Sequence, residues 1–290
     1  MRAVGAVAVV SGLVLAGCGD SEGTTATTAT TTAAPGPDAC ATDQLDLKSA
    51  GTLTIATDTP AFPPWIVDDD PSNGEGFESA VAYAVADELG FAAADVTWTR
   101  VPFNNVIAPG PKDFDFDINQ VSISEERDQA VDFSTGYYAV NQAIVGLADS
   151  AAAGATTVAD LKGLKLGAQV GTTSLDFINE VIAPDSEPYV YNDNSAAKAA
   201  LDAGQVDAIV LDLPTAFYVS SVEIEGSAVI GQFPAPADNP EEFGLVFEEG
   251  NPLRDCVNEA LARLKDSGKL ADIEKQWLSD VVDAPVIEVG

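Results

Sequence analysis

One basic residue stands in the stretch "VSISEERDQAVDFSTGYY", residues 121–138: Arg127, with Glu125, Glu126, Asp128 and Asp132 around it. Its neighbouring basic residues along the chain are Lys112 and Lys162, and all 290 residues carry 13 Lys and Arg against 46 Asp and Glu. An arginine so placed serves one of two chemistries. It makes a surface ion pair, which contributes little, or it holds a planar, two-pronged donor for a carboxylate supplied from outside. A second set of polar residues follows short apolar runs. Asp58 comes after "TLTIAT", Gln120 and Ser122 close "DFDINQVSI", Thr172 and Thr173 follow "LKLGAQ", and Asp212 ends "VDAIVLD". Asp212 either caps the helix opened by Pro214 or faces a cation. Thr172 and Thr173 are turn and cap residues, or donors to an anion at a helix start.

Missing residue types restrict catalysis. The chain has no histidine, which excludes Ser-His-Asp and Cys-His nucleophiles and paired-histidine zinc sites. In "DFDFD" (113–117) alternate aspartates share a face if extended, but Ile118 and Ser124 stand where a calcium loop needs Gly and Glu. No metal and no cofactor is expected.

The elements that must position these residues alternate. Strands are expected at 52–57, 96–101, 115–123, 164–169, 206–212, 227–233 and 243–249. Helices are expected in "FESAVAYAVADELG" (77–90), "GTTSLDFINEVI", "SAAKAALDAGQ" (195–205), "LPTAFYVSS" and two closing segments, "PLRDCVNEALARLKDSG" and "KLADIEKQWLS". Alternating β and α predicts an α/β protein with helices on both sheet faces. Ligands of open α/β sheets sit at the carboxyl ends of strands, where the polar residues above fall.

The net charge of −33 repels nucleic acid and anionic surfaces, so neither is an expected partner. At the other end of the chain, Arg2 precedes an apolar run from Ala3 to Gly17, too short for a comfortable membrane span. Its end, Leu15-Ala16-Gly17-Cys18, resembles the lipobox of bacterial lipoproteins, which implies lipidation of Cys18 and loss of residues 1–17. The Thr/Ala-rich segment that follows has no apolar periodicity and reads as a tether. Cys40 and Cys256 then remain as an even pair in an exported protein, and a Cys40–Cys256 disulfide is expected.

From Gly51 to Leu278 the chain resembles the bacterial extracellular solute-binding proteins of polar amino acid ABC importers. Five segments carry the resemblance in order: "GTLTIATDTPAFPPW", "SISEERDQAVDFSTGYY", "DLKGLKLGAQVGTTS", "VDAIVLDLPTAFY" and "LARLKDSGKLADIEKQW". The resemblance implies a two-lobe, periplasmic-binding-protein-like (type II) fold with two crossover hinge segments and a ligand buried between the lobes. It implies that Arg127 forks onto the ligand carboxylate, that Thr172 and Thr173 meet that carboxylate from the other lobe, and that Asp212 accepts the ligand ammonium. Ser122 and the backbone at Gln120 correspond to polar contacts, while Asp58, Phe62, Trp65 and Phe103 correspond to the side-chain pocket. Gln169 and Leu211 stand at positions that vary with ligand. "GFESAV" departs from the family's usual Gly-Phe-Asp.

The organisation expected is a signal peptide (1–17), lipidated Cys and tether (18–45), first lobe (46–139), second lobe (140–234) and returning first-lobe segment (235–290). The protein is expected to be a monomeric binder and not an enzyme. It would be exported, held at the membrane only by Cys18, and partnered by an amino acid or similar small molecule and an ABC permease. Two readings stay open beside it: an exported dehydratase-like enzyme on the same fold, and a sensor that presents ligand to a receptor.

Overall fold

The computed structural model describes residues 40–236, 238–278 and 284–289. The signal segment, the lipobox with Cys18 and the tether up to residue 39 lie outside the described residues.

In chain order the first strands are β1 (Leu53–Thr57), β2 (Val96–Arg100), β3 (Phe116–Asp117), β4 (Asp132–Phe133), β5 (Tyr138–Val140) and β6 (Gln142–Leu147). They are followed by β7 (Leu166–Gln169), β8 (Tyr189–Tyr191), β9 (Ala208–Asp212), β10 (Ser227–Phe233), β11 (Glu241–Phe243) and β12 (Val246–Phe247). The helices are α1 (Phe77–Glu88), α2 (Phe103–Val106), α3 (Val158–Leu161), α4 (Thr173–Phe177), α5 (Asn194–Asp202), α6 (Leu213–Tyr218), α7 (Leu253–Asp266) and α8 (Lys269–Leu278).

Two five-stranded sheets result, ordered β2-β1-β3-β12-β4 and β10-β6-β9-β7-β8. In the first, β1 runs parallel to β2 and β3, and β12 runs antiparallel to β3 and β4. In the second, β7 is parallel to β8 and β9, while β6 is antiparallel to β9 and β10. The central strands are buried along most of their length, as sheets covered on both faces require. On the first sheet, Val81 and Val85 of α1, one turn apart, join an apolar cluster with Leu253, Val257 and Leu261 of α7 and Ile273 of α8. On the second, Ile144, Leu166, Ala208 and Val210 pack with Leu161, Ile178 and Ile182.

The lobes are joined by β5 and β11, an antiparallel pair with Tyr138 opposite Phe243 and Val140 opposite Glu241. These are the outgoing and returning crossovers of a two-lobe type II fold. Cys40 is bridged to Cys256 on α7, with the sulfurs 2.02 Å apart.

Three expectations are corrected. The strand expected over 115–123 stops at Asp117, because Gln120 takes a left-handed conformation (φ 49°) that ends the extended run. The strand expected over 243–249 is two strands, one in the crossover and one in the first sheet. Finally, residues 284–289 do not stay with the first lobe. Val286 pairs in parallel with Gln232 of β10, the Ile287 amide donates to the Gln232 carbonyl (2.9 Å), and Ile287 is buried in the second-lobe core. The second sheet's free edge and an apolar Ile287 draw this segment across.

Candidate ligand-binding site

Between the lobes lies a cavity of ≈ 230 Å³. Its walls are the ends of strands from both sheets: Asp58 after β1, Asn119 and Gln120 after β3, Gln169 at the end of β7, and Asp212 at the end of β9. Thr172, Thr173, Phe62, Phe103 and Arg127 also line it.

Arg127 opens a short helical turn and is 8% exposed. Its acidic neighbours in sequence are not its partners. Among the described residues no carboxylate lies within ion-pair distance of it. One guanidinium nitrogen donates to the Ser122 carbonyl (2.6 Å) in its own lobe and another to the Gly171 carbonyl (2.8 Å) in the second lobe. The Phe103 ring lies 5.5 Å from its central carbon. Burial lowers its proton affinity, against the charges of Asp176, Glu241, Asp212 and Glu126. Gly171 suits this close passage: its φ is 74°, and a Cβ there would meet Asn104 Oδ1 of the first lobe at 2.7 Å.

On the second lobe, Asp212 sits at the N-cap position of α6 but its side chain makes no cap hydrogen bond. It accepts from Gln142 Nε2 (3.0 Å). Gln142, 3% exposed, also donates from that nitrogen to Glu241 Oε2 (3.1 Å), and its oxygen accepts from Ser174 Oγ (2.7 Å). Glu241 in turn accepts from Ser122 Oγ at 2.6 Å. Burial, then the charge of Glu241, raises Asp212 well above the usual carboxylate range, opposed by Gln142 and Arg127. Gln142 and Glu241 were not among the residues singled out from sequence.

A third missed residue, Glu78 on α1, is fully buried and holds Gln120 in place. It accepts from the Gln120 amide (2.7 Å) and from the Gln120 and Tyr137 side chains. Burial carries its carboxyl up to about 7, although those donors pull the other way. Gly76, just before it, must be glycine: at φ 98° a Cβ would stand 2.3 Å from the Trp65 carbonyl oxygen. Strand β3 holds a contrast. Asp117 is fully buried, and neither carboxylate oxygen has a hydrogen-bond partner among the described residues. Burial, then the charges of Glu78 and Asp58, raises it well above its ordinary value. The charge of Lys112 opposes that rise.

Other parts of the lining are acidic and polar. Asp58 accepts from the Thr59 and Phe103 amides (2.6 and 3.3 Å), and Asp193, Asn192 and Ser195 line the same cavity from the second lobe. Burial raises Asp58, and the Asp193 charge adds to that. Phe62 forms one wall there, with Lys198 Nζ 3.6 Å from its ring centre and paired to Glu223.

The structure does not gather every residue expected at the pocket. Trp65 is 1% exposed and belongs to the core, edge-on to Phe77, Tyr138 and Phe243, with its indole N–H on Thr215 Oγ1 of the second lobe (2.8 Å). The chain folds back after Phe62, with the Trp65 and Ile66 amides on the Phe62 carbonyl, so Phe62 faces the cavity and Trp65 the interior. Ser122 lies one layer behind the wall, on Glu241 and 3.3 Å from Thr173 Oγ1. The Thr172 hydroxyl serves its own turn, accepting from the Leu175 amide and donating to the Gln169 carbonyl. Among the described residues no group of acids and cysteines is arranged to hold a metal ion.

Two α/β lobes meeting over a cavity at their strand ends define the periplasmic-binding-protein class of type II. Residues 53–280 match the family model described as bacterial extracellular solute-binding proteins, family 3, and the chain belongs to that family. The L-cystine-binding protein TcyJ of Escherichia coli K12 is 29% identical over 235 residues, covering 80% of this chain and 84% of TcyJ. Among solved structures, an ancestral arginine-binding protein bound to glutamine is 31% identical, with a TM-score of 0.68 over 79% of this chain and 99% of that one. The ancestral amino acid-binding protein AncCDT-1, a precursor of cyclohexadienyl dehydratase, is 28% identical, with a TM-score of 0.64 over 78% and 95%. Among the described residues no helix is long and apolar enough to cross a membrane.

Proposed function

We propose that this chain is the substrate-binding component of an ABC importer and captures an amino acid with a cationic side chain between its lobes. The observation that carries the reading is the placement of Arg127 on one lobe and Asp212 on the other, both facing one cavity. A zwitterion needs a cation for its carboxylate and an anion for its ammonium, and these two residues offer both signs. One molecule touching both lobes would stabilise the closed arrangement over an open one. Asp58 and Asp193 in the same lining then favour a positive side chain. An arginine-binding relative is consistent with that choice, and TcyJ makes L-cystine the first competitor to test.

The moving bodies in this reading are residues 46–139 with 235–278, and 140–234 with 284–289. The protein is exported and held at the membrane by acyl chains on Cys18 after loss of residues 1–17, since hydrocarbon burial alone anchors it. A Cys18→Ser variant made in a lipoprotein-processing host should leave the membrane fraction; full-length protein still bound there refutes the anchor.

The function itself is tested by a thermal-shift screen of the common amino acids and L-cystine, followed by calorimetry. L-arginine or L-lysine should raise the melting temperature most. A response confined to acidic or apolar amino acids, or none at all, defeats the reading. The ligand should also be recovered unchanged by mass spectrometry; a new product would move the protein to the dehydratase-like class.

A further inference from the structure

We propose that Glu241 is a positioning residue of this cleft: with Asp212 it forms a carboxylate pair, bridged by Gln142, that keeps one proton in the ligand-free protein and releases it to water when a ligand ammonium binds. The inference rests on the amino acid reading above, and it assigns a role to a crossover residue that does not line the cavity.

The geometry begins with one nitrogen. Gln142 Nε2 donates to Asp212 Oδ1 at 3.0 Å and to Glu241 Oε2 at 3.1 Å, so the two carboxylates lie no farther apart than those distances combined. The amide cannot turn over at no cost. Its oxygen is held by Ser174 Oγ at 2.7 Å, and a flip would point that oxygen at two acids. Each acid therefore has one amide N–H, and Glu241 has the Ser122 hydroxyl besides.

The charges around the pair do not balance it. Facing Asp212 are Glu241 from β11, Glu78 from α1, Tyr138 from β5 and the Arg127 guanidinium. Facing Glu241 are Ser122, Arg127 and Asp176 of α4. Arg127 is the single cation in that set. Its guanidinium is turned onto the Ser122 and Gly171 carbonyls, and among the described residues it makes no ion pair. Two like charges this close, sharing one neutral donor, do not both stay ionised without a further cation. Burial and the Glu241 charge raise Asp212 in the same sense. A ligand ammonium arriving on the cavity side of Asp212 is such a cation. It brings a positive charge and N–H donors, so the proton is no longer needed and leaves to solvent.

The sign follows. Below the apparent value of the free pair, binding must displace a bound proton, so affinity falls as pH falls, approaching tenfold per unit. Above it the dependence disappears. Glu241→Gln removes the charge and keeps an acceptor for Ser122 Oγ, at the cost of an amide nitrogen set against Gln142 Nε2.

Two measurements decide. Carboxyl carbon NMR titration of the ligand-free protein should show Asp212 ionising well above the ordinary carboxylate range, and moving down in Glu241→Gln. Ordinary ionisation of Asp212 in the wild type overturns the pair. Calorimetry with L-arginine below the value found in that titration, in buffers of different ionisation enthalpy, should count more protons released by wild type than by Glu241→Gln. Asp58 is common to both proteins and cancels in that difference. Equal counts overturn the proposal while leaving the binding reading intact. If no amino acid gives heat with the wild type, the binding reading falls, and the NMR titration still decides the pair.

Discussion

Arg263 and Arg127 both sit among acids, and their guanidinium groups are used in opposite ways. Arg263, on the outer face of α7, is half exposed and reaches Glu88 at 2.7 Å, with Glu259 one turn away at 3.9 Å. Arg127 is buried at the meeting of the lobes and reaches only backbone carbonyls. The acids beside it in sequence, Glu125 and Asp128, stay exposed on its turn. Sequence crowding is therefore a poor guide to pairing. What distinguishes the two arginines is desolvation: an exposed pair is worth little because water competes for both charges, and a buried unpaired guanidinium is valuable to whatever anion completes it.

The largest effect that this contrast predicts is at Arg127. Arg127→Ala should fold and lose amino acid binding by about 3–5 kcal/mol, or roughly two to four decades in Kd by calorimetry. Arg127→Lys should also bind poorly, since a point charge does not reproduce the fork. Near-wild-type affinity in folded Arg127→Ala would place this arginine with Arg263.

Glu78 extends the comparison to a buried acid. Its folded value of about 7 lies above the ordinary 4.5, so the folded state binds more protons than the unfolded state between those values. Stability contributed by this group is present below pH 4.5 and lost as pH rises to 7, amounting to about 3 kcal/mol at most. Glu78→Gln should flatten the decline in unfolding free energy across that window in urea titrations. Parallel curves for the two proteins would remove Glu78 from the account.

Smaller still is Asp212→Asn, which keeps an acceptor and loses the charge. It should weaken binding by about 1.5–3 kcal/mol, roughly one to two decades. At the bottom of the scale, Arg263→Ala should cost about 0.2–1 kcal/mol of stability and leave ligand affinity unchanged. A binding defect in that variant would break the contrast outright.

Much of this was legible in the sequence for identifiable reasons. Asp58, Gln120, Thr173 and Asp212 follow short apolar strands, and α/β sheets place such residues at one rim. Arg127 stood out because so few cations compete with it. The residues that escaped notice carried signals of a different kind. Glu241 is two positions from Phe243 in an extended strand, so both point to one side, and Phe243 is core. Gln142 opens the almost wholly buried β6. Glu78 lies on α1 at three, four and seven residues from Val81, Ala82 and Val85, on the face that α1 buries. Each is a polar residue in register with an apolar face, which local polarity hides. Trp65 was placed wrongly because a loop rich in proline reads as surface, whereas this one folds its aromatic inward.

The C-terminal segment across β10 bears on how far the lobes can part. Helix α8 packs on α1 and α7, yet Ile287 is buried in the second-lobe core. From Leu278 to Ala284 the chain has six residue steps, which cover at most about 20 Å when fully extended. Beyond the crossovers at β5 and β11, the chain thus joins the lobes a third time, at the outer edge of the second sheet. Separation along that edge is bounded by that contour length, and a wider opening would first have to strip Ile287 from its seat.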